Sequence, residues 1–256
     1  MLEKHIDIQA LEEKIELLFD YRLFPQLFLL TGEGESVMDS FNQKLTNLQK
    51  SIYFLDAHLE ANWQIDDDKL AYHWHGISNS FLPFGIADFN PYVSHIRRYQ
   101  MHELDLRAGK SPLRFEMEYF YFYKSCDVKL LRRLIYEYFG LAKYLGSLSA
   151  WRYYDLITEV NDDVEDLYED IDFYNGNSFL LSMLTHGKEK TMQKFTRFID
   201  DIALKSAHQK IKKNTQVDIQ LLTIQRIEET RELLYERITN LNLSEIVRSK
   251  MNQVLV

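Results

Sequence analysis

The absence of proline from the second half of the chain is the feature that most restricts its fold. Four prolines occur among 256 residues, and none follows Pro112. Proline removes a backbone donor and breaks helix interiors, so a long proline-free stretch rich in Leu, Glu, Lys, Arg and Ile is typical of consecutive helices. Alternating β-branched and polar residues, the pattern of a half-buried strand, are nearly absent. The sequence therefore predicts an all-α fold.

Hydrophobic periodicity locates the individual helices, because apolar residues recur at intervals of three or four. The predicted helices include 5–20, 37–64, 113–139, 141–173 and 217–240. Residues 73–100 are the least regular, since His, Gly and Pro interrupt the pattern, and we expect a loop or broken helix that covers a cavity. No repeat or linker divides the chain, so we predict one all-α domain over 1–256.

Net charge and composition argue against several classes of partner and location. The formal net charge is −9, whereas nucleic-acid binding and polybasic membrane binding both depend on an excess of Lys and Arg. The N-terminus lacks the pattern of a signal peptide, and the longest apolar stretch, 23–30, is too short to span a bilayer. The single cysteine, Cys126, fits a reducing compartment. We therefore predict a cytoplasmic protein with no nucleic-acid partner and no integral membrane segment.

The segment 159–177, EVNDDVEDLYEDIDFYNGN, is the part of the chain that most needs a chemical explanation. Asp162, Asp166 and Asp170 are spaced at i, i+4 and i+8, so they share one face of a helix. Like charges at this spacing destabilise a helix by roughly 0.2–0.5 kcal/mol a pair, and the segment contains no Lys or Arg to offset them. Such a helix is either fully solvated or receives a cation from elsewhere.

Both interpretations of the acidic segment remain open at this point. Acidic runs on helices are usually solvated surfaces. This helix also has an apolar stripe, formed by Ile157, Val160, Val164, Leu167 and Ile171. Asp163 lies next to that stripe, closer than a solvated carboxylate needs to be. Hard divalent cations, Mg²⁺ above all, prefer carboxylate oxygens with water and phosphate, so the segment predicts either a Mg²⁺ site or a solvated acidic face.

The order of residues in this segment also resembles a known motif. The string DDVED at 162–166 is similar to the second aspartate-rich motif, DDxxD, of class I isoprenoid synthases, and Asp170 follows four residues later. These enzymes comprise the trans-prenyl diphosphate synthases and their terpene and squalene/phytoene synthase relatives. Residues 172–177 are similar to the D-x-x-x-G-K that follows the motif in prenyl synthases, with Asn177 in place of Lys. The resemblance covers about forty residues, 138–177.

The resemblance implies a fold, a reaction and a cofactor. The fold would be a helical bundle around a central cavity lined by aromatic residues, and the enzyme would bind and ionise an allylic prenyl diphosphate with Mg²⁺, for prenyl transfer or cyclisation. Asp162, Asp163 and Asp166 would be the catalytic and metal-binding residues, with Asp170 or Glu159 as a further metal ligand. A homodimer is also an expectation, although nothing in the sequence fixes the oligomeric state.

Class I enzymes also carry a first carboxylate motif on an upstream helix. Asp56 and Glu60, at i and i+4 in the predicted helix 37–64, are our candidates for further metal ligands, although they do not form DDxxD. The alternative is that they are ordinary surface carboxylates. The run Asp66-Asp67-Asp68 matches the composition better, but it follows the helix, and we interpret it as an exposed turn.

Three basic residues are candidates for binding the substrate diphosphate. Lys124 interrupts an aromatic stretch in the predicted helix 113–139, and Arg97 and Arg133 lie on predicted helical stretches. For each of them the alternative is a solvated charge, or a charge at a helix junction, with no ligand.

Two other functional classes remain open. A catalytically inactive all-α protein would use the acidic helix face to bind a partner or a loosely held metal, and the weak first motif and Asn177 favour that interpretation. An all-α nucleotide pyrophosphatase would need a paired E-x-x-E on another helix, and Glu116-Met117-Glu118 does not have that spacing. No Walker A loop, dinucleotide-binding glycine pattern, nucleophile elbow or HExxH occurs.

Overall fold

The computed structural model describes residues 8–254, with side chains described as far as residue 249. This part of the chain contains thirteen α-helices and no strand, and the chain is 79% helical, which confirms the predicted all-α class. The helices are α1 (Ile8–Tyr21), α2 (Phe24–Leu29), α3 (Glu35–Ala61), α4 (Asp67–Ser80), α5 (Asn90–Arg107), α6 (Met117–Lys124), α7 (Cys126–Phe139), α8 (Ala142–Leu145), α9 (Arg152–Glu165), α10 (Leu167–Asp170), α11 (Ser178–Ala207), α12 (Ile219–Asn240) and α13 (Leu243–Val254). Short 3₁₀ turns occur at Leu82–Phe84, Pro112–Arg114 and Leu148–Trp151.

The region 73–100 is a broken helix, as expected: α4 ends at Ser80, a 3₁₀ turn and a loop at 85–89 follow, and α5 begins at Asn90. Asp66 accepts hydrogen bonds from the backbone N–H groups of Asp68 and Lys69 and starts α4, so the acidic run caps a helix and is not a free turn. Gly76 lies inside α4 and is tolerated there. Pro91 lies in the first turn of α5, where a helix needs no donor from it, and it therefore starts a helix and does not break one.

Two predicted long helices are divided in the structure. The range 113–139 becomes a 3₁₀ turn followed by α6 and α7, which meet at Ser125. The range 141–173 becomes four short elements, and the break at Gly146, with a φ of 77°, separates α8 from the turn that leads into α9. Hydrophobic periodicity continues across both breaks, which is why the pattern alone did not reveal them.

The apolar core consists of two clusters of buried side chains. The first joins α1, α2, α3 and α7, and includes Phe19, Leu45, Leu48, Ile135 and Trp151. The second joins α6, α9, α11 and α12, and includes Leu156, Val160, Phe195, Ile199 and Leu234. Tyr99 on α5 packs against both clusters.

Helix α9, which begins the acidic segment, lies in the middle of this arrangement. It packs against α6, α11 and α12, and ten of its fourteen residues are buried. Its carboxylates therefore mainly face other helices. The alternative that the acidic residues form a solvent-exposed helix face does not hold for α9 as a whole. Among the described residues, no helix is both long and apolar enough to cross a bilayer.

Candidate functional site

A cavity of about 160 Å³ with charged and apolar walls lies between α1, α3, α5, α6, α7 and α9. Its wall contains five carboxylates and two cations: Asp56, Glu60, Asp127, Glu159, Asp162, Arg22 and Lys124. Aliphatic side chains, among them Leu18, Ile52 and Leu59, complete the wall. The expected aromatic lining is limited to Tyr53 and Tyr99, because most other aromatic rings pack in the two apolar clusters.

The α3 wall carries Asp56 and Glu60, which are half-buried and not the surface carboxylates of the alternative interpretation. In the described part of the chain, neither carboxyl group has a hydrogen-bond or ion-pair partner. Burial raises the pKa of Asp56 well above its usual range, and the charge of Glu60 adds to the shift. Burial also raises the pKa of Glu60 to about 7, with help from the charge of Glu103. A proton or a bound cation would therefore stabilise these two carboxyl groups.

The α9 wall carries Glu159 and Asp162, which share one cation. Arg22 Nη2 donates to Glu159 Oε1 at 2.8 Å and to Asp162 Oδ2 at 2.6 Å. Arg22 is 2% exposed, whereas the Asp162 side chain is 26% exposed and faces the cavity. Burial raises the pKa of Glu159, and the Arg22 charge opposes that shift. Arg22 is therefore part of the site, although the sequence interpretation did not include it.

Lys124 lies on the cavity wall and forms an ion pair with Asp163. Burial lowers the pKa of Lys124, but the charges of Asp163, Asp170 and Glu159 together outweigh burial and raise it, so the ammonium group stays protonated. Asp163 itself is fully buried behind the wall. It also accepts hydrogen bonds from the Tyr121 hydroxyl at 2.8 Å and from the Ser178 backbone at 2.7 Å.

The last two aspartates of the motif lie outside the cavity wall. Asp166 is the C-cap of α9, and its side chain is largely exposed. Asp170, in α10, accepts hydrogen bonds from the side-chain amides of Asn175 and Asn177, each at 2.6 Å. Of the four predicted motif ligands, Asp162 is thus the one that lines the cavity. Asn177, which stands where prenyl synthases have Lys, joins Asp170 to the start of α11.

The other two predicted diphosphate-binding residues do not reach the cavity. The guanidinium of Arg97 lies 4.2 Å from the centre of the Trp74 ring system on the exposed side of α5. Arg133 lies 4.0 Å from the Tyr92 ring centre and donates to Glu137 Oε1 at 2.7 Å. Both cations therefore cover aromatic surface and have no route to Asp162.

Arg107 joins the α3 wall to the loop that follows the acidic segment. Its guanidinium donates to the backbone carbonyls of Asn62 at 3.0 Å and Tyr174 at 2.8 Å, and also to the carbonyl of Leu59. The Tyr174 N–H in turn donates to the Glu60 carbonyl at 2.9 Å. The end of α3, which carries Glu60, is thereby fixed against the loop between α10 and α11.

No protein-family model, curated protein or solved structure matches this chain. The chemistry of the cavity therefore has to be judged from its own residues. In the part of the chain that the structure describes, no group of three or more His, Cys, Asp or Glu is arranged to hold a metal ion. Mg²⁺, however, usually takes one or two carboxylates together with water and substrate phosphates, and it seldom needs a complete protein cage.

The cavity wall carries hard oxygen donors, the type of ligand that Mg²⁺ prefers. Asp56 and Glu60 offer hard oxygen atoms without a protein partner, and Asp162 lies on the α9 wall of the same cavity. The volume of about 160 Å³ is equivalent to about five water molecules. This is smaller than the 300 Å³ or more of pockets that hold drug-sized ligands. Ions, water and a phosphate group fit this space, and an apolar tail requires the aliphatic part of the wall to move.

Proposed function

We propose that this chain is a Mg²⁺-dependent enzyme of the class I isoprenoid-synthase type, which binds and ionises an allylic prenyl diphosphate. The proposal is supported chiefly by the meeting of two carboxylate pairs in one cavity, Asp56 and Glu60 from α3 with Glu159 and Asp162 from α9. The DDVED string at 162–166 supports it from the sequence.

Five residues of the cavity wall have a defined role in this proposal. Asp56, Glu60 and Asp162 would hold Mg²⁺, which when bound neutralises charge on the departing diphosphate. Lys124 would bind a phosphate oxygen, because its ammonium is protonated and lies at the wall. Aliphatic residues such as Ile52 would exclude water from the allylic cation.

The two alternative functions have less support from the geometry. A protein that binds partners through an acidic surface needs exposed carboxylates; Glu165 and Glu169 are exposed, but Glu159 is 4% exposed and Asp163 is fully buried. A nucleotide pyrophosphatase needs a paired E-x-x-E on another helix; Glu116 and Glu118 lack that spacing, and Glu118 is paired with Arg152 at 2.7 Å and Lys205 at 2.6 Å.

The experiment that tests the proposal is a measurement of pyrophosphate release. Geranyl and farnesyl diphosphate would be supplied alone and with isopentenyl diphosphate, each with and without Mg²⁺. We expect Mg²⁺-dependent release that falls by about 100-fold or more in Asp56→Asn/Glu60→Gln. The organic products would then distinguish prenyl transfer from cyclisation.

The matched control uses carboxylates of the acidic segment that lie outside the cavity. Glu165 and Glu169 are exposed and spaced at i and i+4, like the tested pair. Glu165→Gln/Glu169→Gln should release pyrophosphate at a rate close to that of the native chain. The proposal fails if the folded native protein releases none, or if the Asp56/Glu60 variant is as active as the native chain.

A further inference from the structure

Arg22 is held in the cavity in an unusual way. A single nitrogen, Nη2, contacts both Glu159 and Asp162, while Nε and Nη1 are buried with no hydrogen-bond partner. Buried arginine side chains normally use several of their five N–H donors, because an unpaired buried donor is destabilising. The guanidinium at the cavity wall is therefore only partly satisfied by the protein.

The backbone at this position is fixed by its neighbours. Arg22 lies at the junction of α1 and α2, and the next residue, Leu23, has a φ of 63°. In the described part of the chain Leu23 is the one non-glycine residue with positive φ, a conformation that branched side chains rarely adopt. Arg132 Nη2 also donates to the Arg22 carbonyl at 3.3 Å. Because the backbone is held in place, a change of partner has to come from the side chain alone.

Arg22 occupies oxygen atoms that a metal ion would also need. Asp162 is the motif aspartate that lines the cavity, and its Oδ2 is bound by Arg22 at 2.6 Å. We propose that Arg22 is a resident counter-cation of this cavity, which competes with a divalent cation for Asp162 and thereby regulates cation binding. The inference rests on the proposed function in taking the cavity to be a divalent-cation site.

The charges around the cavity determine the direction of this competition. Without Arg22, Glu159 and Asp162 lose the cation that both of them contact. Lys124 does not replace it, since its ammonium is paired with Asp163. The uncompensated carboxylates then attract a dication more strongly than they do in the native chain. Removing a positive residue from the site should therefore strengthen cation binding.

The test is a Mg²⁺ titration of the full chain without substrate, at constant ionic strength. Native protein and Arg22→Met would be compared by calorimetry and by thermal unfolding. We expect Arg22→Met to have a lower Tm without Mg²⁺, to bind Mg²⁺ about tenfold more tightly or better, and to recover Tm as Mg²⁺ is added.

A matched control separates this effect from general destabilisation. Arg132 is buried and paired with Asp155, and neither residue lines the cavity. Arg132→Met also leaves a carboxylate unpaired in the interior, yet its Tm should not recover with Mg²⁺. Equal recovery in the two variants would overturn the inference.

A second variant keeps the test decisive if Arg22→Met does not fold. Arg22→Met/Glu159→Gln removes the buried unpaired charge and keeps Asp162, and it should also bind Mg²⁺ more tightly than the native chain. Unchanged or weaker Mg²⁺ binding in the folded variant would overturn the inference. If the Arg22 variants bind Mg²⁺ more tightly but the native chain releases no pyrophosphate, the proposed function is contradicted and the inference is not. If the native chain releases pyrophosphate but the Arg22 variants bind Mg²⁺ no more tightly than it does, the inference alone is contradicted.

Discussion

Asp163 Oδ2 accepts the backbone N–H of Ser178 at 2.7 Å, so the acidic helix α9 is tied to the first turn of α11. The same oxygen accepts the Tyr121 hydroxyl at 2.8 Å, and the other carboxylate oxygen is paired with Lys124. Its neighbour Asp162 faces the cavity instead. Two adjacent aspartates of one motif therefore differ in environment, and they should differ in what their substitution does.

The first prediction concerns this difference. Asp163→Asn removes the charge that pairs with Lys124 in the interior, and we expect the free energy of unfolding to fall by about 3–5 kcal/mol. Asp162→Asn should lower the free energy of unfolding by about 1 kcal/mol, because Arg22 keeps Glu159 as a partner. Urea denaturation of both variants measures the two losses. Equal losses would show that Asp163 is not a structural anchor.

The second prediction concerns the pH dependence of stability. Glu60 has its pKa raised from 4.5 to about 7, so between these values the folded state binds more protons than the unfolded state. The free energy of unfolding contributed by Glu60 is therefore fully present below pH 4.5 and is lost as the pH rises through 7, by at most about 3 kcal/mol.

Urea denaturation at a series of pH values tests this, with Glu60→Gln as the comparison. The Gln side chain does not titrate, so the variant should show a shallower decline in stability between pH 4.5 and 7 than the native chain. Parallel pH profiles for the two proteins would contradict the prediction.

The third prediction concerns Arg107, which binds carbonyls at the end of α3 and in the following loop. Arg107→Met leaves the carbonyls of Leu59, Asn62 and Tyr174 without this donor, and we expect a loss of about 2–5 kcal/mol in thermal or urea unfolding. Arg231→Met is the control, since Arg231 forms exposed pairs on the surface and should lose at most about 1 kcal/mol. Similar losses in both variants would argue against the role of Arg107.

The fourth prediction compares two glycines. A Cβ at Gly176 would lie 2.6 Å from Glu103 Oε1 and 3.3 Å from the Phe120 ring, so Gly176→Ala should destabilise the fold by about 1–3 kcal/mol. A Cβ at Gly76, inside α4, meets nothing within 4 Å. Gly76→Ala should stabilise the protein by up to about 1 kcal/mol, because alanine favours helix. The two Tm values should move in opposite directions, and a shift in the same direction would contradict this account.

The fold class followed from the sequence because helix periodicity and proline absence are local properties. In the region 73–100 the helix is broken between Ser80 and Asn90, and not at Gly76 or Pro91: Gly76 faces open space inside α4, and Pro91 lies in the first turn of α5. Local composition does not reveal which of these positions a residue occupies.

The sequence predicted the site residues that are related by spacing within a single helix, but not the contacts between distant parts of the chain. The spacing of Asp56 and Glu60 places both on one face of α3, and the structure directs that face to the cavity. Arg22 is 137 residues from Glu159 in sequence, and no local pattern predicts such a pairing. Arg97 and Arg133 were chosen for their charge alone; each lies against an aromatic ring, and Arg133 is also paired with Glu137.

The bond between the Tyr174 N–H and the Glu60 carbonyl has a mechanical consequence. It fixes the end of α3 to the loop after the acidic segment, and Arg107 reinforces the same junction from α5. The position of the Glu60 carboxylate on the cavity wall therefore depends on the loop between α10 and α11. A substitution in that loop should therefore alter the cavity from a distance, through the backbone of α3 and without a direct contact to the cavity wall.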